Sequence, residues 1–205
     1  MMAGLFSRLS MRVPAAVLSL VLLACSSGCA QREAPFNLSN IGGLMPDLEF
    51  RMRDENGRNV VARDYLGKVV LLYFGYTRCP DACPTTLTTL SQAVSLLGNA
   101  GTRVRVLFVT VDPQRDTTGV LKQYVSAFGR EFTGLRGDDA ALSQLTRRYR
   151  VAYRLEPPDA DGNYAVDHSS AVFVFDSRGR ARLLANAGDT AKAIASDLKR
   201  LIPDA

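Results

Sequence analysis

The continuous apolar run Val69–Phe74 and the mostly apolar segment Val104–Val111 have the length of strands. They lack the alternation of a half-exposed strand and are typical of strands buried on both faces of a sheet. In other stretches apolar residues recur every three or four positions, which predicts helices. The predicted helices are Pro84–Leu97, Val120–Phe128, Ala140–Tyr149 and Thr190–Ile202.

Two hairpins flank this alternating pattern, each built from short apolar segments around a turn that contains glycine. Strands that alternate with helices, followed by a hairpin and a closing helix, indicate an α/β domain with a largely central sheet. The predicted hairpins join Asp47–Arg53 to Asn59–Ala62 through Asp54–Gly57, and Ser170–Phe175 to Ala181–Ala185 through Asp176–Gly179.

The size and charge of the chain fit one ordinary domain with a short appendage. It has 205 residues, 47% hydrophobic and 22% charged, so its core needs no disulfide support. The net charge of +5 falls to +3 without Arg8 and Arg12, which lie in a segment that we expect to be removed. The remaining charges are scattered, and the chain has no tryptophan, which argues against nucleic-acid binding.

Residues 1–24 have the pattern of a secretion signal. Arg8 and Arg12 precede the apolar run Val13–Ala24, which is too short to span a hydrocarbon core of about 30 Å as a helix. The run ends in Leu-Leu-Ala before Cys25, which resembles a bacterial lipobox. Cys29 follows Gly28 but lacks the aliphatic residue upstream, so we expect lipidation at Cys25, and an ordinary cleaved signal is the alternative.

This pattern predicts residues 25–42 as a lipidated tether and residues 43–205 as the folded domain. The expected location is the bacterial cell envelope, with the domain anchored to the membrane by lipid and facing the periplasm. That compartment permits disulfides and exposes metal sites to external metal.

Cys79 and Cys83 follow the first core strand in the string Cys-Pro-Asp-Ala-Cys-Pro. A residue before proline is disfavoured in the helical region, and Pro84 suits a first helical position, so Cys83 is predicted to be the N-cap residue. Both thiols are then expected to be exposed at the positive end of the helix dipole, which favours thiolates. Such a pair can form a redox disulfide or bind a soft metal. A stapling disulfide is less favoured, because closing so short a loop removes little chain entropy.

His168 is the only histidine, and it precedes a predicted core strand that should begin where the cysteine loop emerges. Two thiolates and one imidazole suit copper, as Cu(I), Cu(II) or both. Asp112 and Asp167 are candidates for orienting the imidazole, although turn or cap roles are the more common alternative. Zinc is the second choice, since a structural zinc site needs a fourth ligand, which Asp81 could supply.

Three motifs resemble those of the Sco/SenC family of copper proteins: Gly75–Pro84 (GYTRCPDACP), Val111–Thr117 (VDPQRDT) and Asp167–Ser169 (DHS). The resemblance extends from about Gly43 to Ile202. The chain departs from the family pattern in two places. Thr118 stands where proline is common, and a lipobox stands where many relatives have a transmembrane helix. The second motif also has a purely structural explanation, in which Pro113 ends a strand and Asp116 or Thr117 caps the next helix.

The resemblance implies a thioredoxin-like fold with a central mixed sheet flanked by helices and an N-terminal hairpin extension. It implies one copper ion per chain, bound by Cys79, Cys83 and His168. It also implies a metallochaperone that delivers copper to the dinuclear centre of cytochrome c oxidase, with the copper-bearing oxidase subunit as its partner. Other periplasmic copper chaperones or thiol reductants are further candidate partners.

The alternative function is that of a thiol-disulfide oxidoreductase, which would cycle a disulfide between Cys79 and Cys83 to keep the cysteines of the oxidase subunit reduced. The three intervening residues count mildly against it, because redox pairs usually have two. A peroxiredoxin-like activity is disfavoured, since Thr77 lies two residues before Cys79 instead of three and Leu72 occupies the position of that family's proline.

Overall fold

A computed structural model describes residues 34–203. The strands are β1 Ser39–Asn40, β2 Arg51–Asp54, β3 Asn59–Val61, β4 Val69–Gly75, β5 Val104–Thr110, β6 Phe132–Arg136, β7 Tyr153–Leu155, β8 Val166–His168, β9 Val172–Phe175 and β10 Ala181–Ala185. Within the described range, eight of them form one mixed sheet in the order β1-β10-β9-β4-β5-β6-β2-β3, and β7 and β8 form a separate ribbon. Both predicted hairpins are confirmed, as β2–β3 and β9–β10.

The helices are α1 Ala82–Leu96, α2 Thr118–Ser126, α3 Asp139–Arg148 and α4 Ala191–Leu201, so all four predicted helices are confirmed with ends shifted by a few residues. Three begin at side chains that accept a hydrogen bond from the first turn, as N-caps do. These N-cap residues are Thr117, Asp138 and Thr190. Two short 3-10 segments, Ala62–Tyr65 and Gly98–Arg103, complete the connections.

Strand β4 lies at the centre of the core, and every one of its residues is buried. It pairs in parallel with β5, which places Gly75 beside Thr110, and antiparallel with β9, which places Tyr73 beside Val172. The ends of β4 and β5 and the start of β9 therefore meet at one edge of the sheet. The cysteine loop follows β4, and His168 precedes β9, so the pairing brings both to that edge.

Strand β6 was not predicted from the sequence. It is only five residues long and contains Gly134 at its centre, which weakens the apolar signal. The structure explains this glycine, because a Cβ atom there would lie 3.0 Å from Cβ of Leu121 in α2. Close packing of α2 on the sheet thus requires a residue without a side chain.

The compact unit begins at Phe36, inside the segment predicted as a tether. Leu38 and Ile41 are buried, and β1 pairs with β10. The buried carboxylate of Asp197 accepts hydrogen bonds from the Leu38 backbone N–H and the Asn37 side chain, both at 2.8 Å. A short apolar segment without periodicity gave no signal for this edge strand.

The predicted signal peptide at residues 1–24, the predicted lipid site at Cys25 and the first part of the predicted tether lie outside the described residues. Among residues 34–203, no helix has the length and apolar character needed to cross a membrane.

Candidate metal centre

The cysteine loop leads directly into α1, whose N-cap residue is Asp81, so Cys83 lies in the first helical turn. The prediction that Cys83 is the N-cap is therefore wrong. Pro84 occupies the third helical position, where its missing N–H removes no intrahelical hydrogen bond, since the first four N–H groups of a helix have no partner within it. The conformational bias of a residue before proline is thus overcome by the packing of Cys83.

Cys83 is 0% exposed, and burial raises the pKa of its thiol to about 12, although hydrogen bonds from Tyr73 and the Tyr76 backbone act in the opposite direction. The expectation of two exposed thiolates is wrong for this residue, because the apolar surroundings outweigh the helix dipole. Cys79 is half-buried, and its Sγ accepts a hydrogen bond from the Cys83 backbone N–H at 3.4 Å. Both cysteines are free thiols.

Two residues of β4 determine where the Cys83 sulfur lies. A Cβ atom on Gly75 would be 2.7 Å from Cys83 Sγ and 2.8 Å from the ring of Phe108, so only glycine leaves room for the sulfur. The hydroxyl of Tyr73 donates a hydrogen bond to the same Sγ at 3.6 Å. Burial, followed by the nearby Cys83, raises the pKa of Tyr73, and this hydroxyl therefore stays protonated.

Asp116 holds the loop that precedes the cysteines. Its carboxylate, 0% exposed, accepts hydrogen bonds from the Thr77 N–H at 3.0 Å, the Thr77 hydroxyl at 2.6 Å and the Thr110 hydroxyl at 2.6 Å. It thereby ties the cysteine loop to the end of β5. Of the two helix-capping candidates in this motif, Thr117 is the cap, and Asp116 has this other role, which the sequence pattern did not reveal.

His168 is the last residue of β8 and lies opposite Tyr153 of β7. Its Nε2 is 3.3 Å from Cys83 Sγ, and its Nδ1 is 3.0 Å from the Ser169 carbonyl oxygen. An Nδ1–H that donates to this carbonyl leaves the lone pair of Nε2 directed at the sulfur. The edge of the ring packs against Tyr76, with centroids 5.8 Å apart.

The imidazole Nδ1 contacts the backbone carbonyl of Ser169 and neither of the two candidate aspartates. Asp167 is exposed on the ribbon. Asp112 is buried, but it accepts hydrogen bonds from the Tyr164 hydroxyl at 2.9 Å and from the Arg115 side chain. It therefore orients the segment before β8 and not the ring itself.

Arg115 also connects the loop after β5 to the segment before β8. Its Nη1 donates to the Tyr164 carbonyl oxygen at 2.9 Å, and its guanidinium carbon lies 3.5 Å from the centroid of the Tyr164 ring. Arg115, Asp112 and Tyr164 thus form a clamp between the loop after β5 and the segment before β8. The clamp fixes the approach of His168 to the cysteines.

Among residues 34–203, Cys79, Cys83 and His168 form a group whose ligand atoms all lie within 4.8 Å of one another and could hold a metal ion. Two sulfurs and one imidazole nitrogen are a soft set of ligands, which suits copper better than magnesium or calcium. The arrangement defines a metal-binding protein on an α/β sheet, with its ligands supplied by two segments of the chain that are distant in sequence.

The sequence profile described as SCO1/SenC matches residues 44–203, and the chain belongs to this family. The SCO2-like protein of Rickettsia felis is 37% identical over 133 residues, which cover 64% of this chain and 65% of that relative. The chain thus spans slightly less than two thirds of the length of that relative.

Solved structures of Sco proteins have the same fold. Bradyrhizobium japonicum ScoI, determined with copper bound, is 36% identical with a TM-score of 0.70, and the match covers 76% of this chain and 99% of that one. BsSco is described as having a disulfide switch and belonging to the Sco family of cytochrome c oxidase assembly proteins. It is 20% identical with a TM-score of 0.61, covering 78% and 95% of the two chains, which supports the fold alone. The expected thioredoxin-like fold, a mixed sheet flanked by helices, is confirmed.

Proposed function

We propose that this protein is a copper metallochaperone, which binds one copper ion through Cys79, Cys83 and His168 and delivers it to the dinuclear copper centre of cytochrome c oxidase. The observation that carries the proposal is the approach of His168 Nε2 to within 3.3 Å of Cys83 Sγ, although 85 positions separate the two residues. This contact adds a nitrogen donor to the two sulfurs, which together make the ligand set of a copper site.

Copper is favoured over other metals by the ligand set and by the family. Thiolates are strong ligands for Cu(I), and an imidazole accommodates Cu(II) as well, so the site can hold either state. Bradyrhizobium japonicum ScoI has been determined with copper bound, and the present chain is 36% identical to it.

The unequal exposure of the two sulfurs supports delivery by ligand exchange. Cys83 is fully buried, whereas Cys79 is partly accessible on the loop and His168 is half-buried. An incoming thiolate of the oxidase subunit can replace Cys79 and then His168, while Cys83 holds the ion until last. Binding displaces the proton of the Cys83 thiol, because the metal ligand is the thiolate.

Copper titration of the purified, reduced protein tests this proposal. We expect one copper ion per chain and sulfur-to-copper charge-transfer absorption for the Cu(II) form. His168→Ala should weaken Cu(II) binding by more than about 100-fold, since even outer partners of metal ligands contribute about 10–100-fold. Asp167→Asn is the matched control, because Asp167 adjoins His168 but is exposed. Equal copper affinity of His168→Ala and the parent protein would rule out the three-ligand site.

The second candidate is a thiol-disulfide oxidoreductase that reduces the cysteines of the oxidase subunit. Two observations favour it. Both cysteines are free thiols, and the Cys79 sulfur accepts a hydrogen bond from the Cys83 backbone N–H at the start of α1. Incubation of the reduced protein with an oxidised dicysteine peptide from the oxidase subunit separates the two functions. Rapid reduction by the His168→Ala variant, without copper, would favour the redox function. Copper transfer without thiol exchange would favour delivery.

The proposed location is the bacterial envelope, with Cys25 lipidated and the domain facing the periplasm. It rests on the signal and lipobox pattern of residues 1–25. Mass spectrometry of the N-terminal peptide from membrane fractions tests it. A Cys25→Ser variant should then lose the lipid mass and leave the membrane fraction, and an unmodified Cys25 in the parent protein would contradict the anchor.

A further inference from the structure

The hydroxyl group of Tyr73 is a polar atom inside an apolar strand. Tyr73 is 0% exposed, and the residues around it in β4 are apolar: Val69, Val70, Leu71, Leu72 and Phe74. Burying a hydroxyl without a hydrogen bond costs about 1–3 kcal/mol, so phenylalanine would suit the core better unless the hydroxyl has a partner. The hydroxyl donates a hydrogen bond to Cys83 Sγ at 3.6 Å, and the side chain of Thr86 is a second polar partner.

We infer that Tyr73 is a positioning residue that stabilises the reduced sulfur of Cys83 and so biases the cysteine pair towards the dithiol. The hydroxyl donates a hydrogen bond to the Cys83 sulfur, and the Tyr73 ring lies edge-on to the His168 ring, with centroids 6.2 Å apart. The inference deepens the proposed function, since only the reduced pair can bind copper.

The redox step is the oxidation of both thiols by a disulfide reagent. The thiols of Cys79 and Cys83 lose two electrons and two protons and form one S–S bond. The disulfide reagent takes up these electrons and protons and becomes a dithiol. An S–S bond of about 2.05 Å draws the Cys83 sulfur towards Cys79, from the position in which it accepts the hydrogen bond from Tyr73. The movement weakens this hydrogen bond, which favours the reduced state.

The test is the redox equilibrium of the metal-free protein in mixtures of reduced and oxidised dithiothreitol, for the parent and for Tyr73→Phe. A hydrogen bond contributes about 1 kcal/mol net, so we expect Tyr73→Phe to shift the equilibrium about fivefold towards the disulfide. For a two-electron couple this equals a potential about 20 mV more negative. No shift, or a shift towards the dithiol, would overturn the inference.

Tyr149→Phe is the matched control. Tyr149 is equally buried, but its hydroxyl donates to the Asp47 carbonyl oxygen and accepts from the Glu49 N–H, away from the cysteines. We expect this variant to lose stability in thermal unfolding while its redox equilibrium changes less than twofold. Equal shifts in both variants would show a general packing effect and contradict a specific role of Tyr73.

Copper uptake by the parent protein, measured on the same preparation, separates this inference from the proposed function. Failure to bind copper would refute the metallochaperone proposal and leave the dithiothreitol result fully interpretable. Normal copper uptake with an unshifted Tyr73→Phe equilibrium would refute only the role of Tyr73.

Discussion

The metal centre joins two regions that are supported in different ways. The cysteine segment, residues 69–83, consists of β4, its loop and the first turn of α1, and it is continuous with the centre of the sheet. The histidine ribbon, residues 153–168, contains β7 and β8, which pair only with each other in the part of the chain that the structure describes. One ligand region is thus part of the central sheet, and the other is a separate ribbon that joins the core through the buried Val166.

Different contacts hold the two regions in place. Cys83 is fixed by burial, by the space at Gly75 and by the Tyr73 hydroxyl. The ribbon is held to the domain by the clamp of Arg115, Asp112 and Tyr164. Changes in the cysteine segment should therefore reduce stability and copper binding together, whereas changes in the clamp should reduce mainly copper binding.

Asp116→Ala should give the largest effect on stability. It removes the buried acceptor of the Thr77 N–H and of the Thr77 and Thr110 hydroxyls, and buried donors without partners cost about 1–3 kcal/mol each. We expect the free energy of unfolding to fall by about 2–4 kcal/mol in urea denaturation. The exposed Asp161 gives the control Asp161→Ala, which should change the free energy of unfolding by less than about 0.5 kcal/mol. Similar stabilities for both variants would contradict the role of Asp116.

Gly75→Ala should have the next largest effect. The added methyl group would overlap Cys83 Sγ and the Phe108 ring, and such overpacking costs about 1–3 kcal/mol. Copper affinity should fall as well, because the sulfur must move. Gly188→Ala is the control, since a Cβ atom there has no neighbour within 4 Å. Unchanged stability and copper affinity in Gly75→Ala would show that the strand tolerates the methyl group.

Tyr164→Phe should separate the two regions most clearly. It removes the hydrogen bond to Asp112 and should lower the free energy of unfolding by only about 1 kcal/mol. Cu(II) affinity should fall by about tenfold, because partners that orient metal ligands contribute about that much. The dithiol–disulfide equilibrium should stay unchanged, since the cysteine segment is intact. A loss of stability without loss of affinity would contradict the role of the clamp.

The sequence predicted the parts of the fold that have a strong apolar period. The buried runs became β4 and β5, and regular spacing located all four helices, whereas β6 was hidden by its short length and by Gly134. The position of β1 was missed for a related reason, because Leu38 and Ile41 acquire their burial only from the rest of the domain.

At the site, the sequence identified the three residues that the structure brings together, but not the contacts that orient them. The local bias of a residue before proline favoured an exposed Cys83, and tertiary packing overcame it. The imidazole is oriented by the backbone carbonyl of Ser169. Every residue has such a carbonyl, so the residue types in the sequence could not predict this contact. The carboxylate of Asp116 could not be told from a helix cap without knowledge of its burial.

The pairing of β4 with β9 links ligand assembly to the completion of folding. An unfolded chain would have to close a loop of 85 positions to bring His168 to Cys83, and it would retain at most the two neighbouring thiols. Copper bound by all three side chains is therefore copper bound to the native state, which its binding stabilises by mass action. A newly made chain could therefore bind copper through all three side chains only after its last strands have joined the sheet.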